Sequence, residues 1–116
     1  MQYFDEEEFN CSCCGQNEMA DEFKQDIDDA RHIAEVPFVV TSGYRCKKHN
    51  QKVGGSETSS HLKGIAADIE AENSRDKFKI VEALMAVGFK RIGIGEDFIH
   101  VDKDEDKAQS VLWTYY

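Results

Sequence analysis

Two short segments of this sequence carry side chains whose types and spacing suit metal chemistry. The first is Ser59-Ser60-His61-Leu62-Lys63-Gly64-Ile65-Ala66-Ala67-Asp68, and the second is Phe98-Ile99-His100-Val101-Asp102. Zinc takes nitrogen and oxygen ligands, and a catalytic zinc site uses three from the protein with one position left open. His61, Asp68 and His100 make such a set. Gly64 and Ala66, between the first two, are small enough to let backbone and metal approach closely. On a strand, alternation puts His100 and Asp102 on one face and Ile99 and Val101 on the other. Ala66, Asp68 and Glu70 likewise share a face. If these strands pair, a His2Asp site follows, and Asp102 is placed to orient His100 from behind. Taken singly, each residue has an ordinary structural reading: a half-buried, hydrogen-bonded strand histidine, or an aspartate at a turn. The argument for a metal is the whole pattern S-x-H-x-x-G-x-A-x-D followed by H-x-D.

The cysteines form a separate group: Cys11, Cys13, Cys14 and, far along the chain, Cys46. C-x-C-C followed by C-K-K-H is not one of the usual zinc-finger spacings. Three readings stay open at this level: buried small thiols, a disulfide from Cys46 to one of the cluster, or a structural metal.

These residues need a frame. Met19 to Val36 reads as a helix, with Phe23, Ile27, Ala30 and Ala34 on one face and Pro37 limiting its end. Phe38 to Thr41 reads as a buried strand, and Ser42 to Ser60 as a long polar loop. Gly64 to Glu70 reads as a strand. Ser74 is an N-cap candidate for a second long helix, with Phe78, Val81, Leu84 and Met85 as its apolar face and Gly88 closing it. Arg91 to Ile94 and Phe98 to Asp102 are strands around a tight turn, and Val111 to Tyr116 is a terminal strand. Asp5 to Glu8 reads as an acidic helix start. Loosely alternating helices and strands with a hairpin predict an α+β fold with a small antiparallel sheet flanked by two or three helices.

The chain has 116 residues, 41% of them hydrophobic, and 14 Lys+Arg against 23 Asp+Glu give a net charge of −9. That is one domain, spanning 1–116, and too little chain for two cores. The acidic balance excludes nucleic-acid binding through phosphates, which depends on Lys and Arg. No apolar run approaches the ~20 residues of a membrane span. The acidic N-terminus lacks the order of a signal peptide, so the expectation is cytoplasmic synthesis.

The chemistry-bearing pattern resembles that of the zinc D-alanyl-D-alanine metallopeptidases. Their wider group includes the lysostaphin-type endopeptidases, the vancomycin-resistance dipeptidase and the sonic hedgehog signalling domain. The likeness runs through Glu8-Phe9-Asn10-Cys11, Thr41-Ser42-Gly43-Tyr44-Arg45-Cys46, His49-Asn50 and Val53-Gly54-Gly55. It continues through both segments above, Arg91-Ile92-Gly93-Ile94-Gly95 and Trp113. The resemblance implies a hedgehog-like or DD-peptidase-like fold, Zn2+ held by His61, Asp68 and His100, and peptidoglycan stem peptides as substrates. It implies that Arg45 points into the site to hold a carboxylate or an oxyanion, in place of a surface ion pair. Ser59 then either bonds the substrate backbone or ties down its loop. Relatives such as the vancomycin-resistance dipeptidase carry a glutamate three residues before the last histidine ligand. That position is Asp97 here, with Glu96 one residue earlier. Asp97, Glu96 or neither is the general base, since both also suit a turn. His32 is read as a surface residue, His49 as a possible border of the cleft, and Trp113, Tyr115 and Tyr116 as closing the core.

The expected activity is hydrolysis of an amide bond in a peptidoglycan peptide by a monomer, of D-Ala-D-Ala carboxypeptidase or L-Ala-D-Glu endopeptidase type, in a phage or prophage lysis or tail setting. The alternatives are a non-catalytic zinc-binding module and a phage structural protein of the same fold.

Overall fold

The computed structural model describes residues 1–116, and its elements follow from where the apolar residues fall. A 3-10 turn at Glu6–Phe9 opens the chain. Asp5 caps it reciprocally with Glu8. Helix α1 spans Asp21–Ala34 and ends on Glu35 in the left-handed conformation, two residues before Pro37. Strand β1 is Val40–Ser42, helix α2 is Lys47–Lys52, and a second 3-10 turn spans Ser60–Lys63. Then come β2 (Ala66–Glu70), α3 (Ser74–Val87), β3 (Arg91–Ile94), β4 (Phe98–Asp102) and β5 (Val111–Thr114).

The five strands form one sheet in the order β1-β2-β4-β3-β5. Ladders β1–β2, β2–β4 and β3–β4 are antiparallel, whereas β5 runs parallel to β3. The sequence led us to expect antiparallel pairing throughout. The reason for the exception is the route of the chain. It leaves β4 at Asp102, beside Arg91, and residues 103–110 carry it past β3, so that Val111 starts level with Arg91.

One face of the sheet is greasy and the other is not. Ala67, Ile69, Ile92, Ile99 and Val101 join Phe23, Ile27 and Ala30 of α1 and Ile80, Ala83 and Leu84 of α3 in a single buried cluster. Burying a side chain of Leu or Ile size contributes about 1.5–3 kcal/mol, so this layer fixes which way each strand faces. By alternation, Asp68, His100 and Asp102 must then point to the opposite face.

Several expectations need correction. Helix α3 is capped by the Asn73 side chain, which accepts from Asp76 N–H, and Ser74 is its first residue. Its buried face is Ile80, Ala83 and Leu84, while Phe78 is 67% and Met85 54% exposed. Two apolar stripes share this helix, and the one containing the small Ala83 packs against α1 and the sheet. The predicted strand at Phe38–Thr41 is shorter and starts two residues later, at Val40–Ser42. The loop from Ser42 to Ser60 contains α2, capped by the Cys46 sulfur. No helix is long and apolar enough to cross a membrane.

Candidate metal centre

The polar face of the sheet gathers the site. Asp68 lies directly opposite His100 across the β2–β4 ladder, and His100 is opposite Gly93 across β3–β4. His61 arrives from the 3-10 turn just before β2. That turn is capped by Ser59, whose Oγ accepts from His61 N–H at 3.3 Å, and it closes on Gly64 in the left-handed conformation. A Cβ on Gly64 would stand 2.0 Å from the Glu18 carbonyl oxygen, so this position needs glycine for both space and backbone angle.

Three ligand atoms converge. Asp68 Oδ1 is 2.8 Å from His100 Nδ1 and 3.3 Å from His61 Nε2. The other nitrogen of each ring is already engaged: His61 Nδ1 with the Gly43 carbonyl at 2.7 Å, and His100 Nε2 with Asp102 Oδ2 at 2.8 Å. That second-sphere contact sets the tautomer of a ligating histidine. It leaves His61 Nε2 and His100 Nδ1 as the nitrogens free to bind a metal. Two neutral imidazoles and one carboxylate on a rigid frame match the donor set of a catalytic zinc site, so these residues fit the ion.

The electrostatics agree. Burial by itself would raise the Asp68 carboxyl. Hydrogen bonds from His100 and His61 outweigh that and hold it well below the usual carboxylate range. Burial disfavours charge on His100, but its bonds to Asp102 and Asp68 prevail and raise its pKa. The two carboxylates therefore favour the protonated ring, and a metal at Nδ1 would displace the proton there.

Behind His100 the network continues. Asp102 Oδ1 accepts from Arg91 Nε at 2.7 Å and from Asp104 N–H at 3.0 Å, and Arg91 also donates to the Ala108 carbonyl. Asp102 titrates low: burial opposes its charge, and bonds from His100, Asp104 N–H and Arg91 favour it. Arg91 was not among the residues singled out in the sequence, though a signal existed. Counting back along the hairpin from Ile94–Ile99 puts Arg91 opposite Asp102.

The cleft above these atoms has a volume of about 320 Å³. Arg45 reaches it with its Nε donating to Ser42 Oγ (3.1 Å) and NH1 to Asn50 Oδ1 (3.2 Å), while NH2 lies 3.6 Å from Asp68 Oδ2. Ser59, Trp113 and Tyr115 also line it. The aromatic pair lies over the sheet because Gly93 has no side chain: a Cβ there would be 2.6 Å from both rings. The Trp113 ring lies tilted against the His100 ring, 5.7 Å between centroids, with the Arg91 guanidinium 4.9 Å from its own. These aromatics therefore wall the cleft, where the sequence suggested core closure; Tyr116 is 70% exposed. Asp97 and Glu96 stand exposed at the β3–β4 turn and are not among the cleft-lining side chains, although the adjacent Phe98 is. The Asp97 carbonyl accepts from Ala71 N–H. His32 is exposed and bonds the Tyr3 hydroxyl, and His49 is half-buried on α2, outside the cleft lining.

Ser60 and Asp104 were also missed in the sequence. Asp104 is a fully buried carboxylate taking bonds from Ser60 Oγ (2.7 Å) and Lys63 Nζ (2.9 Å). It fastens the turn that bears His61 to the segment after β4. Burial raises its carboxyl, but the bonds from Lys63 and Ser60 and the Asp106 N–H bring it down to about 2.

A family model described as Peptidase M15 matches residues 2–102 of this chain. The match covers most of the sequence and both segments that carry the candidate ligands, and the chain belongs to that family. No curated protein matches it. Peptidases of this family are zinc-dependent in general, which makes the chain a metallopeptidase with His61, Asp68 and His100 as a candidate ligand set.

Proposed function

We propose that the protein hydrolyses an amide bond in peptidoglycan stem peptides, as a D-Ala-D-Ala carboxypeptidase or an L-Ala-D-Glu endopeptidase. The observation that carries this reading is the convergence of His61 Nε2, Asp68 Oδ1 and His100 Nδ1 in a cleft that also holds the Arg45 guanidinium. When bound, zinc supplies a Lewis acid for the scissile carbonyl and lowers the pKa of water. Arg45 holds a substrate carboxylate or the developing oxyanion through its NH2 end, since Nε and NH1 are tied to Ser42 and Asn50. Asp102 keeps the His100 ring in one tautomer throughout. Ser59 fixes the backbone of the His61 turn and presents its hydroxyl to the cleft. Asp97, with a carboxylate free of hydrogen bonds, is the proton carrier, and Glu96 is the alternative on the same turn. We infer a monomer acting at the cell wall, in a phage or prophage lysis or tail role.

A second reading is a non-catalytic zinc-binding module. The exposed placement of Asp97 and Glu96 away from the cleft lining favours it. A mass-spectrometric digest of peptidoglycan stem peptides separates the two. Zinc-loaded protein should release a terminal D-alanine or cut after the first L-alanine, and chelated or Asp97→Ala protein should not. Stoichiometric zinc with every peptide intact would leave the binding module in its place.

A further inference from the structure

The cysteines left over from the peptidase site are not scattered. The sulfurs of Cys11, Cys14 and Cys46 lie within 4.8 Å of one another, although Cys46 is far from the other two in sequence. Cys13, next to Cys14, stays out of the group and is exposed. None of the four is in a disulfide.

The surrounding backbone is arranged for sulfur anions. Cys11 Sγ accepts from Cys46 N–H at 3.4 Å, and Cys46 Sγ accepts from His49 N–H at 3.4 Å. The segment folds back as a tight knuckle: Gly15 N–H donates to the Cys11 carbonyl at 2.9 Å, and Cys11 N–H to the Gln16 carbonyl at 2.8 Å. Gly15 has φ 73° with nothing near its would-be Cβ, so glycine is there for backbone angle alone.

We propose that Cys11, Cys14 and Cys46 form a second, structural metal site for a thiophilic divalent cation of the zinc type. Three sulfurs meeting at one point suit a metal better than a disulfide, which would use two and strand the third. Tetrahedral thiolates at ~2.3 Å from zinc stand about 3.8 Å apart, within the spread seen here. Backbone N–H donors to the sulfurs are the second-sphere contacts a thiolate site uses. Binding exchanges three S–H protons, released to solvent, for three sulfur–metal bonds. Water or a turn of the His49 side chain, three residues after Cys46, completes the tetrahedron.

The site has a structural consequence. It clamps the N-terminal knuckle to the segment that carries Gly43 and Arg45. The two already touch: Tyr44 N–H donates to the Phe9 carbonyl at 3.0 Å, and a Cβ on Gly43 would stand 2.7 Å from that oxygen. Gly43 supplies the acceptor for His61, and Arg45 reaches the cleft. The thiolate metal therefore buttresses the loop half of the peptidase site from behind. The proposal rests on its own ligands and stands whether or not the peptidase reading does.

Cobalt reports on it. Cobalt at His61, Asp68 and His100 has no sulfur ligand, so a near-ultraviolet thiolate-to-cobalt charge-transfer band belongs to the cysteine site alone. Fully reduced, metal-free full-length protein should bind two equivalents of Co2+ and show that band. Cys14→Ser, at an exposed position, should lose the band and one equivalent while circular dichroism stays unchanged. Cys13→Ser should keep both. His61→Ala should lose one equivalent and keep the band. A single equivalent with no thiolate band, or a band that survives Cys14→Ser, would overturn the proposal. So would a Cys11–Cys46 disulfide trapped by alkylation in freshly lysed cells.

Discussion

The candidate site has two halves built on different principles. Asp68, His100 and Asp102 sit on paired strands whose register is dictated by the buried residues on the other face of the sheet. His61 and Arg45 come from irregular chain, and side-chain tethers hold them: Ser59, Gly43 and Asp104 for the His61 turn, Ser42 and Asn50 for Arg45. The strand half is fixed by burial of a whole layer. The loop half is fixed by individual polar contacts, each worth about 0.5–1.5 kcal/mol, or more where a charge is involved. Changes in the first half should therefore act on metal binding; in the second, changes at Arg45 should act on substrate handling and changes to the tethers on local stability, while His61 itself is a metal ligand.

The largest effect should follow Asp68→Ala, because this carboxylate touches both histidines and faces Arg45. Activity should fall to background, and elemental analysis should show the loss of one zinc equivalent, that of the His61, Asp68 and His100 set. Arg45→Ala should cut kcat/KM by ~10²-fold or more, as expected for a lost oxyanion or carboxylate donor. Its zinc affinity, measured against a chromophoric chelator, should stay near that of the unchanged protein, and a joint loss would erase the distinction between the halves. Asp102→Asn should do the reverse, weakening zinc binding by ~10–100-fold in the same competition assay.

Asp104 gives a smaller effect with a defined pH signature. Its folded pKa, about 2, lies below the ordinary 3.8, so its stabilising contribution is present above the ordinary value and is lost as pH falls through about 2. Urea unfolding of metal-free protein should show ~2 kcal/mol of stability in this window that Asp104→Asn lacks. Least of all, Phe78→Ser should change stability by less than ~0.5 kcal/mol, because that ring is 67% exposed.

The same division governs what could be read from the sequence. Period-two alternation in Phe98–Asp102 and Ala66–Glu70 was enough to put Asp68, His100 and Asp102 on one face, because strand geometry is local and buried neighbours enforce it. It was not enough for α3, where two apolar stripes competed and only packing against α1 chose between them. Nor could it show the anchoring of His61, which depends on Gly43 and on Asp104, 44 residues from its partner Ser60. Such contacts are decided by tertiary structure. The parallel placement of β5 likewise depends on the path of residues 103–110, which carries no periodic signal.

The central claim is that His61, Asp68 and His100 hold the catalytic metal through specified atoms. Anomalous diffraction at the zinc edge from zinc-soaked crystals tests it most directly. The account predicts a peak bonded to His61 Nε2, an Asp68 carboxylate oxygen and His100 Nδ1, with His100 Nε2 still paired to Asp102. No peak between these three residues, or zinc on His100 Nε2 with Asp102 displaced, would contradict it.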